Sequence, residues 1–162
     1  MYLTTIEKED EMKFRIVIKR SIETVFEHIR DLAGYKSWLP ASVTFSQITD
    51  ISDNPVQAGT TYVDRGPTSV MSGKVTEMEP PRLIAFQQAM NFKRGLLSGG
   101  LIISIRYTLE AAGNGETLIT RELRIRTAGM LVALHLVLAS VIGKEDERIM
   151  QRMKTYLEKR VL

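Results

Sequence analysis

Few side chains in this sequence are of a type and spacing that chemistry can use, and Arg121 is the most conspicuous. It shares its parity with Ile119, Leu123 and Ile125, in a stretch whose alternation predicts a β-strand with one dry face. A guanidinium on that face is costly unless it is paired or meets an anionic or carbonyl-bearing ligand. Asp64, which alternation from Thr60 to Arg65 groups with Tyr62, is the expected partner. A register slip of one residue would instead turn Arg121 to solvent. Tyr62 and Tyr107, the latter on the face of Ile103 and Ile105, offer apolar rings with hydroxyl handles, and core packing accounts for them about as well. His135 falls on or beside the inward stripe of a C-terminal helix, between Leu131 and Leu138, where it meets either a ligand or a hydrogen-bond partner in the core. His28 is expected at the exposed side of an earlier helix.

Other chemistries lack their residues. There is no cysteine, so disulfides, thiolate nucleophiles and cysteine-ligated metals are excluded. Neither histidine belongs to a HExxH or similar set, and no metal or cofactor is expected. GLLSGG around Ser98 lacks the G-x-S-x-G spacing of a hydrolase elbow. Gly113-Asn114-Gly115 lacks the further glycines and lysine of a phosphate loop.

Net charge is +3, from 22 basic and 19 acidic residues spread along the chain. The basic groups are Arg121, Arg124 and Arg126 on one predicted strand, and Arg148, Arg152, Lys154, Lys159 and Arg160 near the C-terminus, interleaved with Glu145, Asp146, Glu147 and Glu158. Pairs such as Glu145 with Arg148 explain this better than nucleic acid does, because no stacking-aromatic platform accompanies the charge. The first residues, MYLTTIEKEDEMK, show no secretory leader. The apolar run from Met130 to Ile142 is shorter than the roughly 18 to 20 residues of a bilayer span. A cytoplasmic protein with residues 1–162 forming one domain is the expectation.

The elements that must position these side chains follow from pattern. Met12, Phe14, Ile16 and Ile18 alternate with charge and predict a first strand. Ser21 caps a helix carrying Ile22, Val25, Phe26 and Ile29 on one face, ended at Gly34. GYKSWLP reads as a second short helix or turn stopped by Pro40. Strands are then predicted at about 43–48, 60–65, 70–78, 83–90, 101–109 and 117–126. Pro80 and Pro81 make a corner outside the paired region, and Asn114-Gly115 marks a hairpin. From about Gly129 to Arg160 the pattern is helical, with Leu131, Leu134, Leu138, Val141, Ile149, Met153, Tyr156 and Leu157 near one stripe. Short connections imply an antiparallel meander, and one long helix must cover its inner face.

In this order the opening strand MKFRIVIKRS, the helix ETVFEHIRDLAGYKSWLP, the passage NPVQAGTTYVDRG, the corner VTEMEPPRLIAF, the hairpin YTLEAAGNGETLITRELRI and the closing MQRMKTYLEKR carry a resemblance. Nearly the whole chain resembles the START-like, birch-pollen-allergen-like helix-grip superfamily (SRPBCC), in particular its bacterial polyketide cyclase/dehydrase and lipid-transport type. The resemblance implies an α+β helix-grip fold: a curved seven-stranded antiparallel sheet wrapped around a long C-terminal helix, with two short helices between strands 1 and 2. It also implies an apolar cavity between sheet and helix for a hydrophobic small molecule such as a lipid, quinone or aromatic polyketide-like compound. Tyr62, Asp64, Phe86, Phe92, Leu96, Leu97, Tyr107, Arg121, His135 and Leu138 are the candidate ligand-binding residues, with Phe92, Leu96 and Leu97 expected as a lid on the glycine-rich loop 91–100. The scaffold hosts diverse activities, so a cyclase or dehydratase using Asp64 or His135, and a co-chaperone-like interaction module, remain alternatives.

Overall fold

A computed structural model of the chain describes residues 6–159. Its alternating segments pair into one seven-stranded antiparallel sheet in the order β1-β7-β6-β5-β4-β3-β2. The strands are β1 (Glu7–Ile18), β2 (Gln47–Thr49), β3 (Thr61–Arg65), β4 (Val70–Glu79), β5 (Leu83–Arg94), β6 (Leu97–Gly113) and β7 (Glu116–Gly129). Between β1 and β2 lie α1 (Ile22–Arg30) and α2 (Tyr35–Trp38), and α3 (His135–Lys159) follows β7. This is the helix-grip arrangement, with a 25-residue helix of about 37 Å lying against the sheet.

Local chemistry explains the boundaries. The Ser21 hydroxyl accepts the Thr24 amide and starts α1, which buries Val25, Phe26 and Ile29. Between β6 and β7 a two-residue turn places Asn114 at φ 54° and Gly115 at φ 72°, the left-handed pair a tight hairpin requires. Pro80 and Pro81 occupy the turn between β4 and β5, which the Arg82 amide closes by donating to the Glu79 carbonyl at 2.8 Å.

Three sequence expectations change. The strand at 43–48 shrinks to Gln47–Thr49, because the Ser42 hydroxyl takes the amides of Thr44 and Phe45 that a strand would need. The helix predicted from Gly129 opens instead as a 3-10 turn over Met130–Leu134, which leaves Leu134 half-exposed and off the inward stripe. His28 is half-buried, its ring stacked on Tyr156 and tilted against Trp38. Arg160, placed at the end of the predicted helix, lies outside the described residues.

The sheet's two faces divide the charge. Lys13 pairs with Glu122, Arg106 with Glu77, and Arg124 and Arg126 with Glu9 and Glu11, all on the solvated face. The opposite face carries Ile103, Ile105, Ile119, Leu123 and Ile125, which are buried beneath α3 with Met150, Met153 and Leu157. Arg121 is the one basic residue of β7 on that dry face, so strand parity read its direction correctly.

Candidate functional site: a cavity between the sheet and the C-terminal helix

The inner face of the sheet and the first half of α3 do not meet completely. Between them is a cavity of about 280 Å³, just below the range of roughly 300–1,000 Å³ usual for ligand pockets. Tyr62, Asp64, Phe86, Tyr107, Arg121 and Leu138, six of the ten candidate residues, line it. Leu101, Ile103, Ile142 and Ile149 make much of the wall apolar. The rings of Tyr62, Phe86 and Tyr107 run in a row, with edge-on contacts at centroid distances of 6.2 and 6.3 Å.

Arg121 is not held by Asp64. Its Nε donates to Asp146 Oδ2 at 2.9 Å and its Nη2 to Asp146 Oδ1 at 2.7 Å, a two-point fork supplied by α3. Its Nη1 donates to the Tyr107 hydroxyl, and its Cζ lies 4.8 Å from the Tyr107 ring centroid. Arg121 and Asp146 are 4% and 3% exposed, so this is a buried ion pair with its charges cancelled in place. Burial pushes the Asp146 carboxyl up, against the pull of Arg121. The expected Asp64 partnership fails because Asp146 reaches Arg121 from the facing helix α3, whereas Asp64 lies four strands from β7, on β3.

Asp64 has a different neighbourhood. The Gln88 amide donates to Asp64 Oδ2 at 2.9 Å and to the Tyr62 hydroxyl at 3.2 Å, binding three cavity residues together from β3 and β5. Burial raises the Asp64 pKa to about 6, with Glu145 adding to the rise and Gln88 and Arg121 opposing it. Burial likewise raises the Tyr62 and Tyr35 phenols. Tyr62 owes its position to Gly73, its opposite number on β4: a Cβ at Gly73 would stand 2.3 Å from the Tyr62 ring. Glu145, on the same wall, accepts two bonds from Arg148, the expected helix pair, and one from Ser42, which ties α3 to the loop after α2.

The remaining candidates lie elsewhere. His135 is 1% exposed and outside the cavity wall, with Nδ1 2.7 Å from Thr127 Oγ1 and Nε2 3.1 Å from Asp10 Oδ2. It is a core link from α3 to β7 and β1. Phe92, Leu96 and Leu97 sit at the exposed tip of the β5–β6 hairpin, with Gly95 at φ 60° in the turn, and do not line the cavity. The flexible loop expected at 91–100 is instead paired strand up to that turn.

Asp146, Gln88 and Glu145 were missed from sequence, although two had a signal. Asp146 falls on the helical stripe of Met150, Met153 and Leu157, and Gln88 shares the parity of Ile84 and Phe86. Among the described residues no cluster suits a metal ion, and no helix is long and apolar enough to cross a membrane.

Residues 10–158 match the family model described as polyketide cyclase / dehydrase and lipid transport. The chain belongs to this family. Solved structures of low identity share its fold. A START superfamily protein from Mycobacterium smegmatis has a TM-score of 0.69 at 14% identity, with 93% of this chain and 99% of that one covered. A norcoclaurine synthase from Thalictrum, solved with a transition-state analogue, has a TM-score of 0.64 at 10% identity, covering 96% and 97%. The Aha1 dimer of Colwellia psychrerythraea has a TM-score of 0.55 at 21% identity, covering 92% and 96%. No curated protein matches the chain in sequence. Membership of the polyketide cyclase / dehydrase and lipid transport family fits the START-like, SRPBCC architecture, a scaffold of hydrophobic-ligand binders and cyclase-like proteins.

Proposed function

We propose that this chain binds or carries a hydrophobic or amphipathic small molecule, of the lipid, quinone or aromatic polyketide-like kind, in the cavity between the sheet and α3. Residues 1–162 act in this reading as one ligand-binding domain, and its cysteine-free composition suits the cytoplasm. The observation that carries the reading is the composition of the wall: aliphatic and aromatic side chains over most of its area, with polar groups gathered at Arg121–Asp146 and at Asp64–Gln88–Tyr62. Such a wall takes up an apolar body by burying it and fixes its orientation through few polar contacts. An unfilled space in the core favours a ligand binder over an interaction module.

Native mass spectrometry of the purified protein, with solvent extraction and displacement of an environment-sensitive hydrophobic dye, tests the proposal. The expected result is an additional mass lost on denaturation, or a dye that binds at one site and is displaced by extracted lipid. A folded protein with a clean apo mass and no dye binding would refute it. A cyclase-like reading has one supporting observation, a cavity carboxyl whose pKa of about 6 suits proton transfer near neutrality. Recovery of a ligand chemically altered by the protein, and unaltered by Asp64→Asn, would favour it.

A further inference from the structure

The polar inventory of the cavity wall is unbalanced. Arg121 is neutralised by Asp146, and three of its donors are already engaged by Asp146 and Tyr107. Glu145 is held by both sides of the Arg148 fork and by Ser42. Tyr35 spends its hydroxyl proton on the Ile29 carbonyl at 2.9 Å. Asp64 alone among the acidic wall residues has no cation within bonding distance among the described residues: its Oδ2 accepts from the Gln88 amide, and its Oδ1 has no hydrogen-bond partner there. An ionised carboxylate is acceptor-only, and this second oxygen, on a half-buried side chain, is open to a donor that enters the cavity. The groups facing it are Tyr62 from its own strand, Gln88 from β5, Tyr35 from α2, Arg121 from β7, and Glu145 from α3, which adds to the negative potential.

Resting on the ligand-binding reading above, we infer that the Asp64 carboxylate is the recognition point of the cavity and that the ligand presents to it a hydrogen-bond donor, a protonated amine on an aromatic or alkyl body being the best match. This reverses the polarity expected from sequence, where Arg121 was the anchor for an anion. The anion that Arg121 needs is already present as Asp146. The ligand body lies along Tyr62, Phe86 and Tyr107, the last of which already carries the Arg121 guanidinium against its ring. A ligand carboxylate would meet Asp64 and Glu145 as like charges and is disfavoured. Protonation of Asp64 near its pKa of about 6 removes the attraction for a cation and leaves a hydroxyl that can still serve a neutral ligand.

Three probes of one shape separate these possibilities: naphthylmethylamine, naphthylmethanol and naphthylacetate, titrated into the full chain beside a neutral hydrophobic dye. The expected order at about pH 8 is amine, then alcohol, then carboxylate, with amine over carboxylate by about tenfold or more, the step that one charged contact commonly makes. The amine's advantage over the alcohol should shrink as pH falls from about 8 to about 5, and Asp64→Asn should abolish most of it at every pH. Should that variant fail to fold, the wild-type pH series carries the same test. Carboxylate binding as tightly as amine, or an amine advantage that survives acid, overturns the inference. Dye binding with none of the three probes bound overturns it too, while sparing the cavity reading. Absence of all binding, dye included, removes both.

Discussion

Arg121 and Asp146 meet from opposite layers of the fold, β7 and α3, in a two-point ion pair with N–O distances of 2.9 and 2.7 Å. Both ends are buried, so removing one leaves the other a largely desolvated, unpaired charge. Arg121→Met alone should therefore destabilise the fold by about 3–5 kcal/mol, whereas Arg121→Met with Asp146→Leu should recover most of that loss. Urea unfolding of both variants measures this. Equal losses in the single and double variants would show that the pair is not the source.

Asp64 makes stability depend on pH with a definite sign. Its folded pKa of about 6 exceeds the ordinary value of 3.8, so the folded chain holds this proton more tightly than the unfolded one. The stabilisation is complete below about pH 4 and is lost as pH rises through about 6. Asp64→Asn should accordingly gain on the wild type as pH rises, by on the order of 2 kcal/mol at neutrality, with the two converging in acid. The quantity to measure is the difference between their unfolding free energies at about pH 4 and about pH 7. A difference independent of pH would contradict the assignment.

His135 joins Thr127 and Asp10 within the packed interior and away from the cavity wall. Replacement by leucine strands the buried Thr127 hydroxyl and should lower stability by about 1–3 kcal/mol. Dye affinity of the folded fraction should be unchanged. A large affinity loss without a stability loss would return His135 to the ligand site.

Phe92, Leu96 and Leu97 are exposed at the hairpin tip, with Leu96 wholly so. Converting all three to serine should move unfolding stability by less than about 0.5 kcal/mol each, as surface substitutions do. If the tip governs entry, dye uptake measured by stopped flow should change rate several-fold. Unchanged uptake beside a large fall in melting temperature would sink the lid role.

What the sequence revealed follows the range of the signals. Period-two alternation is local, and it oriented Arg121, Tyr107 and Tyr62 correctly before any partner was known. The turn at Asn114-Gly115 and the Ser21 cap are equally local and fell where expected. Pairing across layers is not local. Asp146 and Asp64 are both carboxylates near apolar stripes, and only the path of α3 over the sheet decides which one reaches Arg121. Residues 43–46 misled because the competition between a strand ladder and the Ser42 hydroxyl turns on a few hydrogen bonds that β-propensity does not weigh. The hairpin tip misled through its glycines, which read as a loose loop although most of them lie within the ladder.

Gly73, opposite Tyr62, leaves room for that ring without itself lining the cavity. A methyl group at position 73 would evict the Tyr62 ring from its seat on β4 and drive it toward the space beneath α3, parting its hydroxyl from Gln88. Gly73 is not part of the cavity wall. On the proposed ligand-binding reading, a single substitution at position 73, outside the cavity wall, would thus change the size of guest this chain admits while the lining residue stays a tyrosine.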